Sequence, residues 1–381
     1  MSVSARRGRP ALPITGVETT VLDIPLRRTH RFSAATMDTQ GVLLVRLTTA
    51  DGITGWGEGV VPGGPWWGGE SIEGMQALVE RHLGPMLVGE DALQVDRLGR
   101  RMDKLVAGAP FAKSAVEMAL WDLAGRALGV PVHQLLGGAH RTSLPVTWAL
   151  GAEPAGVVVE EALSKIETGA HRSFKLKMGA LPPPDDVARI TEIAEALAGR
   201  APLAVDLNGA WGEQTARRWL PALDAAGISL VEQPLAAANV SGAARLRGGT
   251  ATALMADESL RTPADALRLA VEHAADVFAL KIAKSGGLAS VQRIAAVAEA
   301  AGISCYGGTT IETSLGTAAA THLFCATASL TAGTELFGPL LLADDIVDTP
   351  VAYAGGELLL GDGPGLGVTV DEAKVAKYAR R

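Results

Sequence analysis

The chain has 381 residues, of which 48% are hydrophobic and 20% charged, and it carries a formal net charge of −7. This length predicts two domains, or one large barrel with additions. The acidic balance and the lack of basic runs exclude a typical nucleic-acid-binding protein, and no run of about 18 or more apolar residues predicts a membrane span. Cys305 and Cys325 lack metal or disulfide spacing, and no apolar stretch follows Arg6–Arg7 as in a signal peptide, so we expect a cytoplasmic protein.

The first part of the chain has an extended pattern. The segments Val17–Ile24, Gly41–Thr49 and Ile53–Glu58 are rich in β-formers and predict an antiparallel meander. The sequence RRTHRF at 27–32 lies between the first two strands. It predicts a basic loop that closes over an anionic ligand, with His30 as a candidate substrate contact.

Residues 62–69, PGGPWWGG, are too rich in glycine and proline to predict regular structure. Their two tryptophans either cover a pocket, with Trp66 as a candidate substrate contact, or hold the loop on the domain. Helical periodicity follows over Ser71–Leu87, Leu93–Val106 and Phe111–Leu128. The meander and these helices predict an N-terminal α+β capping domain over residues 1–138.

From Leu144 onward, apolar runs alternate with amphipathic helical patterns, which predicts parallel strands with helices outside. Eight such units favour a modified (β/α)8 barrel, of the TIM type, over residues 139–345. Residues 346–381 return to β-like alternation, and we expect them to pack back on the capping domain. The predicted strands are Val146–Leu150, Phe174–Met178, Leu203–Leu207, Leu230–Gln233, Ala253–Asp257, Val277–Ile282, Ile303–Gly307 and Thr334–Leu336.

The second predicted strand carries two lysines, Lys175 and Lys177, that alternation places on one face. If the strand is buried, their mutual repulsion and desolvation should lower the pKa of each ammonium group, as suits proton transfer. The heptapeptide alone also fits an exposed edge strand with solvated lysines. The residues downstream favour the buried site.

Three carboxylates, Asp206, Glu232 and Asp257, occur at the ends of successive predicted strands. In a barrel those ends face the catalytic mouth, so the carboxylates should lie side by side. Three oxygen donors without histidine or cysteine favour Mg²⁺ or Mn²⁺ over zinc. Salt bridges to lysines would leave one carboxylate unpaired. Alternation predicts that Glu258 and Lys284 point away from this site.

Lys281 lies near the end of the sixth predicted strand, on the opposite side of the barrel from Lys177. A metal site between two lysines suits chemistry in which an enolate forms and is protonated. Enolase-superfamily sites of this kind are a known example.

The motifs KxK, DxN, EQP, ADES and LKIAKxGG are similar to those of the muconate-lactonizing subgroup of the enolase superfamily, over nearly the whole chain. Within it, SFKLKMGA, ALKIAKSGG, CYGGT and GTELFGPLLL resemble the muconate cycloisomerases. The resemblance implies metal-dependent lactonization of a dicarboxylate, cis,cis-muconate, to muconolactone. It also implies a homo-oligomer, commonly an octamer.

The resemblance also assigns roles to single residues. It implies that Asp206, Glu232 and Asp257 bind Mg²⁺ or Mn²⁺ and that Asn208 orients them. Lys177 and Lys281 would be acid/base groups on the two faces of the substrate, with the choice between syn and anti addition left open. Lys175 would tune Lys177 and touch the substrate carboxylate, and Glu335 would contact the carboxylate end of the substrate.

Three alternatives stay open. The first is chloromuconate cycloisomerization, since the segment Thr309–Ser314 lacks a glycine that relatives place after the glutamate, and Val60–Pro62 also departs from them. The second is racemization or epimerization of N-acylamino acids or dipeptides by the same lysines. Such relatives favour an Asp-x-Asp motif on the last strand, where this chain has Thr334-Glu335-Leu336-Phe337. The third, a binding protein on a retained barrel, fits poorly with the intact lysines and carboxylates.

Overall fold

The protein was analysed as a computed structural model that describes residues 11–32 and 35–380. The chain starts with an antiparallel sheet in the order β1-β2-β3. Its strands are β1 (Ile14–Arg31), β2 (Thr36–Thr49) and β3 (Thr54–Val60). The prediction of a loop over 27–32 is wrong for all but Phe32, since β1 continues to Arg31. A register shift between Pro25 and His30 lets the basic stretch bulge before His30 pairs with Met37.

Helices cover one face of this sheet. Ser71 caps the first long one by accepting a hydrogen bond from the Gly74 amide. The predicted helix 71–87 is continuous but passes through a π-helical turn, Val79–Leu83. The tryptophan-containing loop is not wholly irregular, because Pro65 starts one helical turn there. The helices of this part are α1 (Pro65–Gly68), α2 (Ile72–Leu78), α3 (Gly84–Leu87), α4 (Val95–Leu105), α5 (Pro110–Leu128) and α6 (Val132–Leu135).

Eight parallel strands form the second sheet, each paired with the next along the chain. A bridge between Val146 and Thr334 closes it into a barrel, so the predicted barrel fold is confirmed. A short strand, β4 (Ser143–Pro145), precedes the barrel. The barrel strands are β5 (Trp148–Leu150), β6 (Phe174–Lys177), β7 (Leu203–Asp206), β8 (Leu230–Glu232), β9 (Ala253–Ala256), β10 (Val277–Leu280), β11 (Ser304–Gly307) and β12 (Leu330–Thr334).

The predicted last strand, Thr334–Leu336, is displaced, because β12 ends at Thr334 and Glu335 follows it. Helices surround the barrel, and α14 is buried on all sides because it packs on both the barrel side and β3. The barrel helices are α7 (Ala155–Glu167), α8 (Pro183–Ala196), α9 (Glu213–Ala225), α10 (Val240–Arg247), α11 (Pro263–Val271), α12 (Ile282–Ser285), α13 (Leu288–Ala300), α14 (Ser314–Cys325) and α15 (Gly338–Leu341).

The C-terminal segment contacts both parts of the molecule. Its strands β13 (Tyr353–Ala354) and β14 (Glu357–Leu359) form a small sheet with β4. The Leu366 amide donates to Asp122 on α5 (2.8 Å), and the last helix is α16 (Glu372–Tyr378). Regular strands thus cover only part of the alternating pattern predicted there. The division at residues 138 and 345 stays a prediction.

Among the residues described, every helix is too short or too polar to cross a membrane.

Candidate active site

The three predicted metal-binding carboxylates lie at neighbouring strand ends. Asp206 and Glu232 are the last residues of β7 and β8 and pair with each other in the parallel register. Asp257 follows the last residue of β9. All three side chains are buried. The folding pattern therefore brings three carboxylates to the carboxyl-terminal mouth of the barrel, where barrel enzymes place their active sites.

The lysines of β6 point toward these carboxylates. Lys175 is 1% exposed, and its Nζ lies 2.5 Å from Glu232 Oε2 and in contact with Glu335. Lys177 Nζ lies 2.5 Å from Asp206 Oδ2. Phe174 precedes the two lysines and Leu176 lies between them, and both belong to the hydrophobic core. Alternation along β6 thus holds, and the strand is buried, not a solvated edge.

Lys281 approaches from another part of the mouth, directly after β10. Its Nζ donates to Asp257 Oδ2 (2.7 Å) and lies 4.5 Å from the centre of the Trp67 ring. The ammonium group is therefore held between a carboxylate and an aromatic face, both of which favour its charged form.

Glu258 and Lys284 do not point away from the site, as alternation predicted. Lys284 Nζ donates to Asp257 Oδ1 (2.5 Å). Glu258 Oε1 accepts hydrogen bonds from Asn208 Nδ2 (3.0 Å) and Trp67 Nε1 (2.9 Å). The rule fails because both residues lie beyond their strands: β9 ends at Ala256, and Lys284 belongs to α12, which follows β10.

The charges of the site determine the protonation of its lysines. Burial alone would lower the pKa of Lys175, but Glu232 and Glu335 more than offset it and raise this pKa well above its ordinary value. Lys281 behaves in the same way, because Asp257 outweighs desolvation and raises its pKa. The prediction of a lowered pKa is therefore wrong for Lys175, whose nearest charges are carboxylates and not Lys177.

The carboxylates respond differently to burial. Desolvation raises the pKa of Glu232 well above its ordinary value, and the charge of Asp206 raises it further. Burial opposes ionisation of Asp257 as well, but Lys281 and Lys284 reverse this and lower its pKa. Glu232 is thus the carboxylate least compensated by the surrounding lysines.

A small cavity of about 30 Å³ opens above these groups. It brings together the predicted residues His30, Trp66, Lys177, Lys281, Asn208 and Glu335. Lys175 and the three carboxylates lie one contact further in, beneath this lining. A larger cavity, of about 520 Å³, lies between α4, α5 and the α11–α13 region, but none of the strand-end carboxylates lines it.

His30 forms part of the cavity wall. Its Nδ1 lies 3.2 Å from Arg28 Nη1, and its ring meets Phe32 edge-on at 4.7 Å. Burial, together with the charges of Lys177 and Arg28, lowers the pKa of His30 well below its ordinary value. The imidazole is therefore neutral near pH 7.

The sequence analysis assigned no individual site role to the rest of the lining, although it considered most of the segments concerned; these residues are Phe32, Trp67, Thr309, Thr310, Ile311 and Phe337. Ile311 has a φ of 63°, a strained conformation for a β-branched residue. The Ile311 amide donates a hydrogen bond to the hydroxyl of Thr309, two residues earlier (2.9 Å). Trp67 is adjacent to Trp66, and the composition of the loop could not show which of the two tryptophans contacts the site residues.

Comparison with known proteins identifies the family. Residues 16–137 match the mandelate racemase/muconate lactonizing enzyme N-terminal domain, and residues 157–374 match the enolase C-terminal domain-like family. The chain belongs to the mandelate racemase/muconate lactonizing enzyme family.

The relatives within this family are close in sequence and in structure. Muconate cycloisomerase 1 of Rhodococcus opacus is 50% identical over 97% of this chain and 99% of its own length. The muconate lactonizing enzyme of Pseudomonas fluorescens, solved with muconolactone, is 42% identical, with a TM-score of 0.96 over 97% of this chain and 100% of its own. The 2-chloromuconate cycloisomerase of Rhodococcus opacus 1CP is 44% identical, with a TM-score of 0.95 over the same shares.

Membership of this family implies a divalent metal ion. As they stand, no three acidic, histidine or cysteine side chains within residues 11–32 and 35–380 are gathered closely enough to hold one. Each of the three carboxylates contacts a lysine instead, so the expectation that lysine salt bridges would leave one of them unpaired is wrong. The donor set nevertheless fits such an ion, because Glu232 Oε1 is buried without a hydrogen-bond partner among the described residues. A buried, uncompensated carboxylate oxygen is costly, and a hard cation would satisfy it.

Proposed function

We propose that this protein is a muconate cycloisomerase, which converts cis,cis-muconate to muconolactone. The observation that carries the proposal is the pairing of Lys177 and Lys281 on one cavity, each in contact with a different strand-end carboxylate. A proton donor is thus available on either side of a substrate that must be protonated at carbon. The muconate-named relatives at 42–50% identity support the same chemistry.

The cavity suits a short dianion. Two ammonium groups, of Lys177 and Lys281, line it, and the apolar side chains of Phe32, Trp66 and Phe337 complete the wall. Charged groups at the mouth would hold the carboxylates of the substrate, and the aromatic wall would contact its diene. Asn208 and Glu335 fix the positions of the groups beside it.

Asp206, Glu232 and Asp257 would hold the metal ion, as Mg²⁺ or Mn²⁺. Bound there, it supplies positive charge beside a substrate carboxylate whose oxygens gain negative charge during the reaction. For that ion to enter, the contacts of Lys177 with Asp206 and of Lys281 with Asp257 must loosen. This frees both ammonium groups to face the substrate.

The reaction is an internal addition. An oxygen of one substrate carboxylate bonds to the distal alkene, at the carbon farther from the other carboxylate. The alkene electron pair moves to the carbon α to that second carboxylate. Lys177 or Lys281 gives its proton to this α-carbon and is reprotonated from solvent. The two lysines lie on opposite sides, so the one that acts sets the syn or anti course of the addition.

Chloromuconate is the second candidate substrate. The chloromuconate cycloisomerase of Pseudomonas sp. (strain P51) is 42% identical over 97% of this chain and 100% of its own length. The higher identity, 50%, is with a muconate enzyme, so muconate is the substrate that we propose first. We also propose a cytoplasmic homo-oligomer, an octamer by resemblance to the subgroup.

The test is direct. Purified protein is incubated with Mn²⁺ or Mg²⁺ and cis,cis-muconate, and the loss of conjugated-diene absorbance is measured. A parallel assay uses 2-chloromuconate in place of muconate. Preferential loss with muconate supports the proposal, and preferential loss with 2-chloromuconate would favour the second candidate. If absorbance is lost with neither substrate but the α-proton of a dipeptide exchanges in D₂O, the protein is an epimerase and both cycloisomerase proposals are wrong.

A further inference from the structure

Trp67 connects the loop over the cavity to the residues beneath it. Its indole Nε1 donates to Glu258 Oε1 (2.9 Å), and its ring lies 4.5 Å from Lys281 Nζ. The neighbouring tryptophan differs, because Trp66 Nε1 donates to the Pro62 carbonyl of the same loop (3.0 Å). Only one of the two adjacent indoles therefore ties the loop to the barrel through its N–H.

Glu258 extends this connection to a predicted metal ligand. Its Oε1 also accepts from Asn208 Nδ2 (3.0 Å), and the same Nδ2 donates to Asp206 Oδ2 (3.1 Å). Trp67, Glu258, Asn208 and Asp206 thus form one continuous series of hydrogen bonds, which we call the Trp67 chain. Glu258 is partly buried and its Oε2 is shielded from solvent, so water screens the chain only weakly.

Packing also holds the loop that contains Trp67, since the ring centre of Trp66 lies 5.6 Å from that of Phe32 and the ring centre of Trp67 lies 6.1 Å from that of Phe111. Gly63, Gly64 and Gly69 have positive φ angles, and the helix between them is a single turn. The Trp67 carbonyl also contacts the barrel, because it accepts a hydrogen bond from Arg261 Nη2 (3.3 Å). Of the two hydrogen bonds that join Trp67 to the barrel, the Trp67–Glu258 bond is the one that connects the loop to the carboxylate site.

We propose that the Trp67 chain couples the position of the 62–69 loop to metal binding at Asp206. Trp67, Glu258 and Asn208 act as positioning residues. A cation bound at Asp206 fixes the acceptor of Asn208, and through Glu258 it strengthens the contact that holds Trp67. Coupling between two sites is reciprocal, so loss of the Trp67 contact weakens metal binding by the factor by which bound metal strengthens that contact. This inference depends on the metal site in the proposed function.

The test uses Mg²⁺ alone, without substrate. Calorimetric titration gives its affinity, and tryptophan emission of the metal-free protein on addition of Mg²⁺ gives the loop response. Trp67→Phe keeps an aromatic ring over Lys281 but removes the N–H donor. Since removing partners behind metal ligands costs roughly 10–100-fold in metal affinity, we expect a loss of about tenfold. Trp66→Phe is the matched control, and it should bind Mg²⁺ with the wild-type affinity.

Variants of Glu258 test the path. Glu258→Ala removes the shared acceptor, and it should weaken Mg²⁺ binding like Trp67→Phe and abolish the emission change. The double variant should be no weaker than either single one, because both break the same chain. Glu258→Gln keeps a carbonyl acceptor and should restore most of the affinity and the emission change. If Trp67 and Glu258 had only a structural role, all of these variants would lose thermal stability, and Glu258→Gln would not restore Mg²⁺ affinity.

Two results would overturn the inference in distinguishable ways. If Trp67→Phe binds Mg²⁺ like the wild type and the emission of the wild type does not respond, the coupling is absent while the metal site stands. If the wild type binds Mg²⁺ no better than Asp206→Ala does, the metal site itself fails and the coupling fails with it.

Discussion

The proposed proton donation by Lys177 can be tested directly by mutation. Proton transfer by a positioned side chain contributes roughly 10²–10⁴-fold to rate, so Lys177→Ala should lower kcat by about that factor if it is the proton donor. Steady-state kinetics with cis,cis-muconate measure the loss. Lys377→Ala, on the exposed side of α16, is the control and should keep the wild-type rate. A fully active Lys177→Ala enzyme would assign the proton to Lys281.

Single residues also show where sequence reasoning stops. The lysines and carboxylates were identified because strand alternation and one βα unit of spacing place them by rule. Glu258 was expected to point away, since a sequence does not show that β9 ends one residue before Asp257. The lysine pKa prediction used only the neighbour along the strand. The carboxylates that reverse it come from β8 and from beyond β12, and only the closed barrel brings them together.

At the scale of elements, the end of β11 determines the space available to Lys281. A Cβ built on Gly308 would lie 2.6 Å from Lys281 Cε and 2.8 Å from its Cγ. Gly308→Ala should therefore displace the Lys281 side chain and lower kcat more than it lowers Tm. Gly156→Ala on α7 is the matched control, because nothing lies within 4 Å of its added Cβ. It should leave kcat unchanged, and wild-type kcat in Gly308→Ala would contradict the argument.

The junction of β3 and α14 contains a second testable group, the buried Glu58. Its carboxylate accepts from the Thr313 amide (2.9 Å) and from the Thr313 hydroxyl. Desolvation nevertheless raises its pKa to about 8. A carboxyl group with a raised folded pKa is protonated in the folded state and ionised in the unfolded state between these two values. Its contribution to stability is therefore lost as pH rises from the unfolded pKa, near 4.5, to about 8.

Glu58→Gln removes this titration. The wild type should lose several kcal/mol relative to the variant, at about 1.4 kcal/mol per pH unit, between pH 5 and pH 8. Urea unfolding at these two pH values measures the difference. An equal pH dependence of the two proteins would show that Glu58 is ionised in the folded state.

Elements were predicted best where one physical cause dominates. The interior barrel strands are continuous apolar runs, and seven of the predicted runs overlap the observed strands closely. The last strand, LTAGT, is polar and contains Gly333, so its pattern resembles a turn. The stretch at 27–31 was assigned to a loop because of its basic composition, but β1 continues through a bulge there, and His30 and Arg31 pair with β2 again. In both cases a neighbouring strand overrides the local preference.

At the scale of the whole molecule, metal binding should stabilise the fold, because the three carboxylates belong to three different βα units. Their repulsion and the buried, unsatisfied Glu232 Oε1 are costs that the folded chain bears without a cation. A ligand that binds only the folded state stabilises it by about 2.7 kcal/mol at a free concentration of 100 times Kd. Raising Mg²⁺ after chelation should therefore raise Tm steadily, as differential scanning calorimetry would measure.

Glu232→Gln separates this effect from general salt effects. The substitution removes one of the three charges but keeps the side-chain volume, so the metal-free variant should be at least as stable as the wild type. The increase of Tm with Mg²⁺ should be much smaller in it. If both proteins gain the same Tm with Mg²⁺, or if NaCl of equal ionic strength reproduces the gain, the ion acts elsewhere on the molecule. The strand-end carboxylates would then have to be stabilised by the lysines alone.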